Sequence, residues 1–365
     1  MKKNAVLYVG NSLYENELFY RYINRQIALS LNHIDTITHI NSSKLLITLQ
    51  KLLQEESNLL IITTQNTFAT TSKVIATLLA DKLELKSNML IPQKTKVYED
   101  GTFLIDYENS QLNVIKAQPM QKLPAIMLES QNIMTLHIFD LDIESIEILI
   151  EPLTKSFEIE LSYSKVTHEW IKVSCKSKKH GEINHFVKSA KKLFSNKIID
   201  SKNIFRYLIQ RLKENEKTIT FAESCTGGLL AANFTAQSGA SNVIKGSCVV
   251  YSNSIKSQWL GVDEEVFTDH GAVSNECVSQ MLDGAIDIAK ADYAVAVSGV
   301  AGPSGGTEYK PVGTVVIGVA KVDSEKKTQK QIKQLHFEGD RNYIQDQAQF
   351  YALKMLLTFD KNCFL

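Results

Sequence analysis

The feature that most constrains the fold is a short, unbroken apolar run, Ala5-Val-Leu-Tyr-Val9, which stops at Gly10. It is far too short to span a membrane and shows no polar alternation, so it reads as a buried strand. A helical pattern follows through Phe19–Leu31, then a second strand near Ile37–Ile40. The rhythm repeats with a helix around Leu45–Leu53, a strand over 59–64 and a helical stretch over 71–83. This alternation predicts an α/β domain over 1–140 with an open, mostly parallel sheet.

Between Thr135 and Ser201 the pattern changes to short strands and two helices. Strand segments LHIFDL, EIELSY and WIKVSC alternate with helices ESIEILIEPL and INHFVKSAKKLF, which predicts a small α+β connector over 141–200. The charge cluster at 176–182, KSKKHGE, reads as a solvated turn. From 201 the chain has its own complete set of elements. Ile204, Phe205, Leu208, Ile209 and Leu212 share one helix face, and TITFAE reads as a strand running into a Ser-Cys-Thr-Gly-Gly turn and a helix. The third domain is therefore placed at 201–365.

With 365 residues and 44% apolar content, the chain can bury several cores. Lysine plus arginine and aspartate plus glutamate both total 40, so no net field favours general nucleic-acid binding or an anionic membrane. Arginine occurs only at Arg21, Arg25, Arg206, Arg211 and Arg341, which makes an arginine inside a motif informative. Five scattered cysteines fit neither a disulfide framework nor a zinc site, and a reducing cytoplasm is the expected home. Neither a signal peptide nor a membrane span is expected. The eight histidines, His33, His39, His137, His168, His180, His185, His270 and His336, show no ligand spacing, so no metal and no cofactor is expected.

The chemistry concentrates after residue 218. Ser224 stands where a buried strand gives way to a helix, with Gly227 and Gly228 permitting close approach of a ligand. It reads as a helix cap or as a nucleophile whose oxyanion, or whose substrate's phosphate, would meet unpaired helix amides. Lys256 follows the strand SCVVYS and falls in the first turn of a helix, an uncomfortable place for an ammonium. It is a surface lysine or, if buried, a base for a serine hydroxyl with Tyr251 as proton relay. The segment Val300-Ala-Gly-Pro-Ser-Gly-Gly306, preceded by Gly299, is a close-approach loop or a flexible tip. Arg341 opens the final helix, either as a phosphate anchor or as an ordinary surface residue, and Ser274 is expected to cap the helix after it.

Taken together, AESCTGG, VVYSNSIKSQWLGV, HGAVS, VSGVAGPSGG, KPVGTV and FEGDR, in this order and spacing over 202–360, resemble the CinA (competence/damage-inducible) family. The resemblance implies a C-terminal α/β/α sandwich that deamidates nicotinamide mononucleotide, with Ser224, Lys256 and Tyr251 catalytic. It implies a nucleotide site formed by Cys225, Thr226, Gly227, Gly228, Asn253, Gly299, Gly302, Gly305, Gly306 and Arg341, and a homodimer. Gln345 departs from the second arginine often found after GDR. The N-terminal part resembles the family's molybdopterin-binding-like domain, which in some members hydrolyses ADP-ribose with a divalent metal. Where that domain has a Gly-Gly-x-Gly-Pro-x-x-Asp-Asp turn, this chain has Thr64–Ser72, without glycine or carboxylate, and the later Pro-Gly-Pro-Pro loop is missing. A metal-dependent phosphohydrolase needs those groups, so the first domain is expected to be inactive. An ADP-ribose pyrophosphatase and a non-enzymatic binding protein linked to competence or DNA damage remain the alternatives.

Overall fold

The structure, a computed structural model, describes all residues except 1–2, 56, 130–131, 179–180 and 324. His180 and part of the 176–182 charge cluster therefore lie outside the described residues. The chain divides into two compact units, one essentially Met1–Ile133 and the other Met134–Lys176 with Gly181–Leu365.

The first unit is built on a six-stranded sheet in the order Thr36–Ile40, Lys3–Val9, Ser57–Thr63, Ser110–Lys116, Thr102–Tyr107, Val97–Glu99. The first four strands are parallel and the last two antiparallel. Ala5, Leu7 and Val9 pack with Leu45, Leu49, Phe68 and Ile75, whereas Val6 and Tyr8 pack with Phe19, Ile23 and Ile27. Helices thus cover both faces, which is why the first strand carries no polar alternation.

The second unit holds two sheets. The smaller, in the order Ile159–Thr167, Trp170–Ser177, Ile133–Phe139, Ile198–Asp200, turns Leu136, Ile138, Val173 and Cys175 toward helices Ile143–Ser156 and Ile183–Phe194. Its opposite side contributes Phe139 and Trp170 to the core of the larger sheet. Trp170 Nε1 donates to His137 Nδ1 at 2.9 Å, and Lys354 of the last long helix sits 3.2 Å from Asp140 and 2.7 Å from Glu169.

The larger sheet has five strands in the order Ile244–Val249, Ile219–Glu223, Tyr293–Gly299, Thr314–Val322, Thr328–His336, parallel through the first three and then antiparallel. One face, with Phe221, Val295, Val297 and Ile317, packs on helices Ile204–Glu214, Leu229–Thr235 and Arg341–Phe359. The other, with Ala222, Ala294 and Ala296, packs on helix Asn275–Ala289, so the module is an α/β/α sandwich. That helix also approaches Asn253–Leu260 closely: a Cβ at Gly284 would stand 2.0 Å from the Leu260 carbonyl oxygen. The outer strand Thr328–His336 escapes the sequence patterns because it has no buried position and bears Lys330 and Lys333, as suits an exposed sheet edge. The strand expected as SCVVYS, residues 247–252, instead spans Ile244–Val249, so it starts three residues earlier and ends three residues earlier than the pattern allowed.

Candidate active site

The strand Ile219–Glu223, flanked on both sides by parallel neighbours, is buried along its whole length, and Ser224 extends it by donating its N–H to the Val297 carbonyl at 2.9 Å. The chain then turns into helix Leu229–Thr235 through Gly228, whose φ of +97° is a left-handed conformation that glycine tolerates best. The expectation of unpaired helix amides is corrected here. The Glu223 carboxylate accepts N–H groups from Gly228 at 3.1 Å, Leu230 at 3.1 Å and Ala231 at 2.9 Å. A fully buried carboxylate must find donors, and the positive end of the adjacent helix is the nearest set. Because Glu223 does the capping, the Ser224 hydroxyl is left to other partners.

That partner comes from helix Asn253–Leu260, whose start is fixed by Ser252 accepting from the Ile255 N–H. Lys256 is 1% exposed. Its Nζ stands 3.1 Å from Ser224 Oγ and donates to the Tyr251 carbonyl at 3.2 Å. Burial holds the amine below the usual lysine range, and the nearby thiols of Cys277 and Cys225 push the other way. Burial likewise pushes the Cys225 thiol up to about 12, which keeps it protonated at neutral pH.

Tyr251 behaves differently from Lys256. Its ring is 61% exposed, and its hydroxyl accepts from Arg341 Nη2 at 2.8 Å. The other arm of the same guanidinium donates to the Gly302 carbonyl at 2.6 Å. The tyrosine therefore meets Lys256 through its carbonyl and Arg341 through its hydroxyl.

A cavity of about 240 Å³ joins these groups. Of the residues expected around a ligand, Cys225, Asn253, Gly299, Gly302, Gly305 and Arg341 line it beside Ser224, Tyr251 and Lys256. Thr226, Gly227, Gly228 and Gly306 do not. Thr226 is buried, the Gly228 amide is taken by Glu223, and a Cβ on Gly306 would press on the Val312 backbone nitrogen at 2.8 Å. Ala272, Val273, Ser298, Val300, Ala301 and Ser304 complete the wall and were not singled out, although HGAVS and VSGVAGPSGG contain them. Ser298 Oγ ties two of these segments by donating to the Ala272 carbonyl at 2.7 Å. Ser274 caps helix Asn275–Ala289 as expected, accepting from the Cys277 N–H. Gln345, noted in sequence as a departure, donates from Nε2 to the Cys225 carbonyl at 2.6 Å. Among the described residues, no group of three or more His, Cys, Asp or Glu side chains could hold a metal ion.

Fold and geometry thus define an α/β/α sandwich with a buried lysine set on a serine at the end of an inner parallel strand. The family model for the CinA C-terminal domain matches residues 202–359, and the chain belongs to the CinA family. It is 46% identical over 147 residues to the nicotinamide-nucleotide amidohydrolase PncC of Escherichia coli strain K12, covering 40% of this chain and 87% of that protein. It is 43% identical over 158 residues to the CinA-like protein of Fervidobacterium nodosum, a match that spans 43% of this chain and 38% of that relative's length. Among solved structures, the competence damage-inducible protein A of Klebsiella pneumoniae subsp. pneumoniae MGH 78578 is 35% identical, with 42% of this chain and 93% of that chain covered and a TM-score of 0.40.

Proposed function

We propose that the C-terminal module hydrolyses the carboxamide of nicotinamide mononucleotide to nicotinate mononucleotide and ammonia, as a step of pyridine-nucleotide salvage. The observation that carries this reading is Lys256, buried and 3.1 Å from Ser224 Oγ inside a cavity. The likeness to a protein named nicotinamide-nucleotide amidohydrolase supplies the substrate.

Burial favours the neutral amine that a base must be. Ser224 Oγ attacks the carboxamide carbon as its proton passes to Lys256 Nζ. The N–H of Cys225, directly after the nucleophile, meets the oxyanion. The C–N bond breaks as Lys256 returns the proton to the leaving nitrogen, so ammonia departs and an ester remains on Ser224. Water then attacks that ester, its proton passes through Lys256 to Ser224 Oγ, and the acid is released.

Since Glu223 occupies the helix amides, the nucleotide phosphate falls to Arg341, with Asn253 and the loop of Gly299, Gly302 and Gly305 around the remainder. Tyr251 orients Arg341 through its hydroxyl and Lys256 through its carbonyl. The protein is proposed to act as a cytoplasmic homodimer, which sedimentation of the purified chain would check. Among the described residues, no helix is long and apolar enough to cross a membrane.

The N-terminal unit receives no phosphohydrolase role in this reading. At the end of strand Ser57–Thr63, Thr64 and Thr67 close a capping box on helix Gln65–Leu78. Neither side chain supplies a charge for a divalent cation. Hydrolysis of ADP-ribose in added Mg²⁺ or Mn²⁺ would overturn this assignment.

The decisive experiment is ammonia release from nicotinamide mononucleotide by the purified chain and by Ser224→Ala. Release by the first and none by the folded variant is the expected result. A folded, inactive wild type would reject the substrate.

A further inference from the structure

We propose that Gln345 is a positioning residue for the nucleophile, locking the peptide that follows Ser224 to the final helix. The inference rests on the reading of Ser224 as the nucleophile.

Gln345 Nε2 donates to the Cys225 carbonyl at 2.6 Å across 120 residues of sequence. A peptide group is planar, so holding that carbonyl fixes the whole Cys225–Thr226 unit and restrains the turn carrying Ser224 and the Cys225 N–H. The anchor is firm. Helix Arg341–Phe359 starts on the Asp340 cap, which accepts from the Tyr343 N–H, and its later turns are buried. Arg341 stands four residues before Gln345 and Gln349 four after, which places the three on one helix face. Arg341 reaches the Gly302 carbonyl and the Tyr251 hydroxyl, and Gln349 reaches toward the Leu229 carbonyl at 3.5 Å. One face of one helix therefore touches the glycine loop, the nucleophile turn and the helix behind it.

Arg341 lines the cavity, whereas Gln345 does not. Loss of Gln345 should therefore disturb the geometry of attack and leave ligand binding largely intact. Two variants separate positioning from packing. Gln345→Met keeps the length and removes the donor, and Gln345→Arg keeps N–H donors. For ammonia release from nicotinamide mononucleotide, Gln345→Met is expected to lower kcat about tenfold to a hundredfold, with KM within about twofold. Thermal melting should barely move, and Gln345→Arg should recover most of kcat.

Unchanged kcat in Gln345→Met, a loss confined to KM, or failure of Gln345→Arg to recover would overturn the proposal. A fluorophosphonate that labels reactive serines separates this inference from the choice of substrate. If the wild type labels at Ser224 but releases no ammonia, the substrate reading fails alone; slower labelling of Gln345→Met then upholds the positioning role, and equal labelling refutes it. A wild type that neither labels nor turns over overturns both.

Discussion

Two turns in this chain occupy the same structural position and solve the same problem differently. Each follows a buried parallel strand, Ser57–Thr63 in the first unit and Ile219–Glu223 in the second, and each opens a helix. In the first, the turn caps itself: Thr64 accepts from the Thr67 N–H, and Thr67 Oγ1 donates back to the Val9 carbonyl at 2.9 Å. Its hydroxyls are consumed by the fold. In the second, Glu223 caps from the end of the strand, and the hydroxyl of Ser224 remains available to Lys256. A polar turn becomes a chemical site when some other residue takes over its structural duties.

The sharpest break in that comparison is removal of the freed groups. Ser224→Ala and Lys256→Ala should each lower ammonia release by about a thousandfold or more without unfolding the protein. Lys256→Arg should be nearly as poor, because a guanidinium stays protonated. Substantial activity in either lysine variant, measured by coupled ammonia assay, would remove Lys256 from the base role.

Next comes pH. Burial lowers the Lys256 pKa from its ordinary value of 10.5, so the neutral base becomes populated as pH rises through that lowered value. The kcat/KM profile should therefore climb on an alkaline limb that lies below 10.5. A limb at the ordinary lysine value would show that burial does not tune the amine.

Smaller again are the capping energies. Glu223→Ala strands three amides and is expected to cost about 3 kcal/mol of stability in the second unit, with activity lost through the disturbed turn. Glu223→Gln, which keeps an acceptor, should cost less. Thr64→Ala should cost about 1 kcal/mol and leave ammonia release untouched. Denaturant melts read the stability terms, and an effect of Thr64→Ala on ammonia release would break the contrast between the turns.

Local patterns made much of this legible. Ala5–Val9 and Thr218–Glu223 are short strand-forming runs that end at glycine or small polar residues, so their strands and the place of Ser224 at a strand's end could be read without a partner. Lys256 was legible as an oddity, a cation in a helix's first turn, although its burial depended on helices far along the chain. Glu223 offered a signal that went unused: a carboxylate closing an apolar strand needs donors. Gln345 showed only as a departure from the family's usual arginine, and Ser298 and Ala272 only as members of quoted motifs, since their contacts cross long stretches of sequence. Strand Thr328–His336 was invisible because its pairing with Thr314–Val322, and not its own composition, makes it a strand.

The approach at Gly284 sets a manufacturing tolerance for the whole centre. Helix Asn253–Leu260, which carries Lys256, rests against a position where one added carbon would overlap the Leu260 carbonyl oxygen. The depth to which the lysine is delivered is thus gauged by an atom that is missing from a different helix. Selection for new substrates can rework the cavity wall residue by residue, but a single methyl at 284, which does not line the cavity, would press on the helix that carries Lys256 and shift it relative to Ser224.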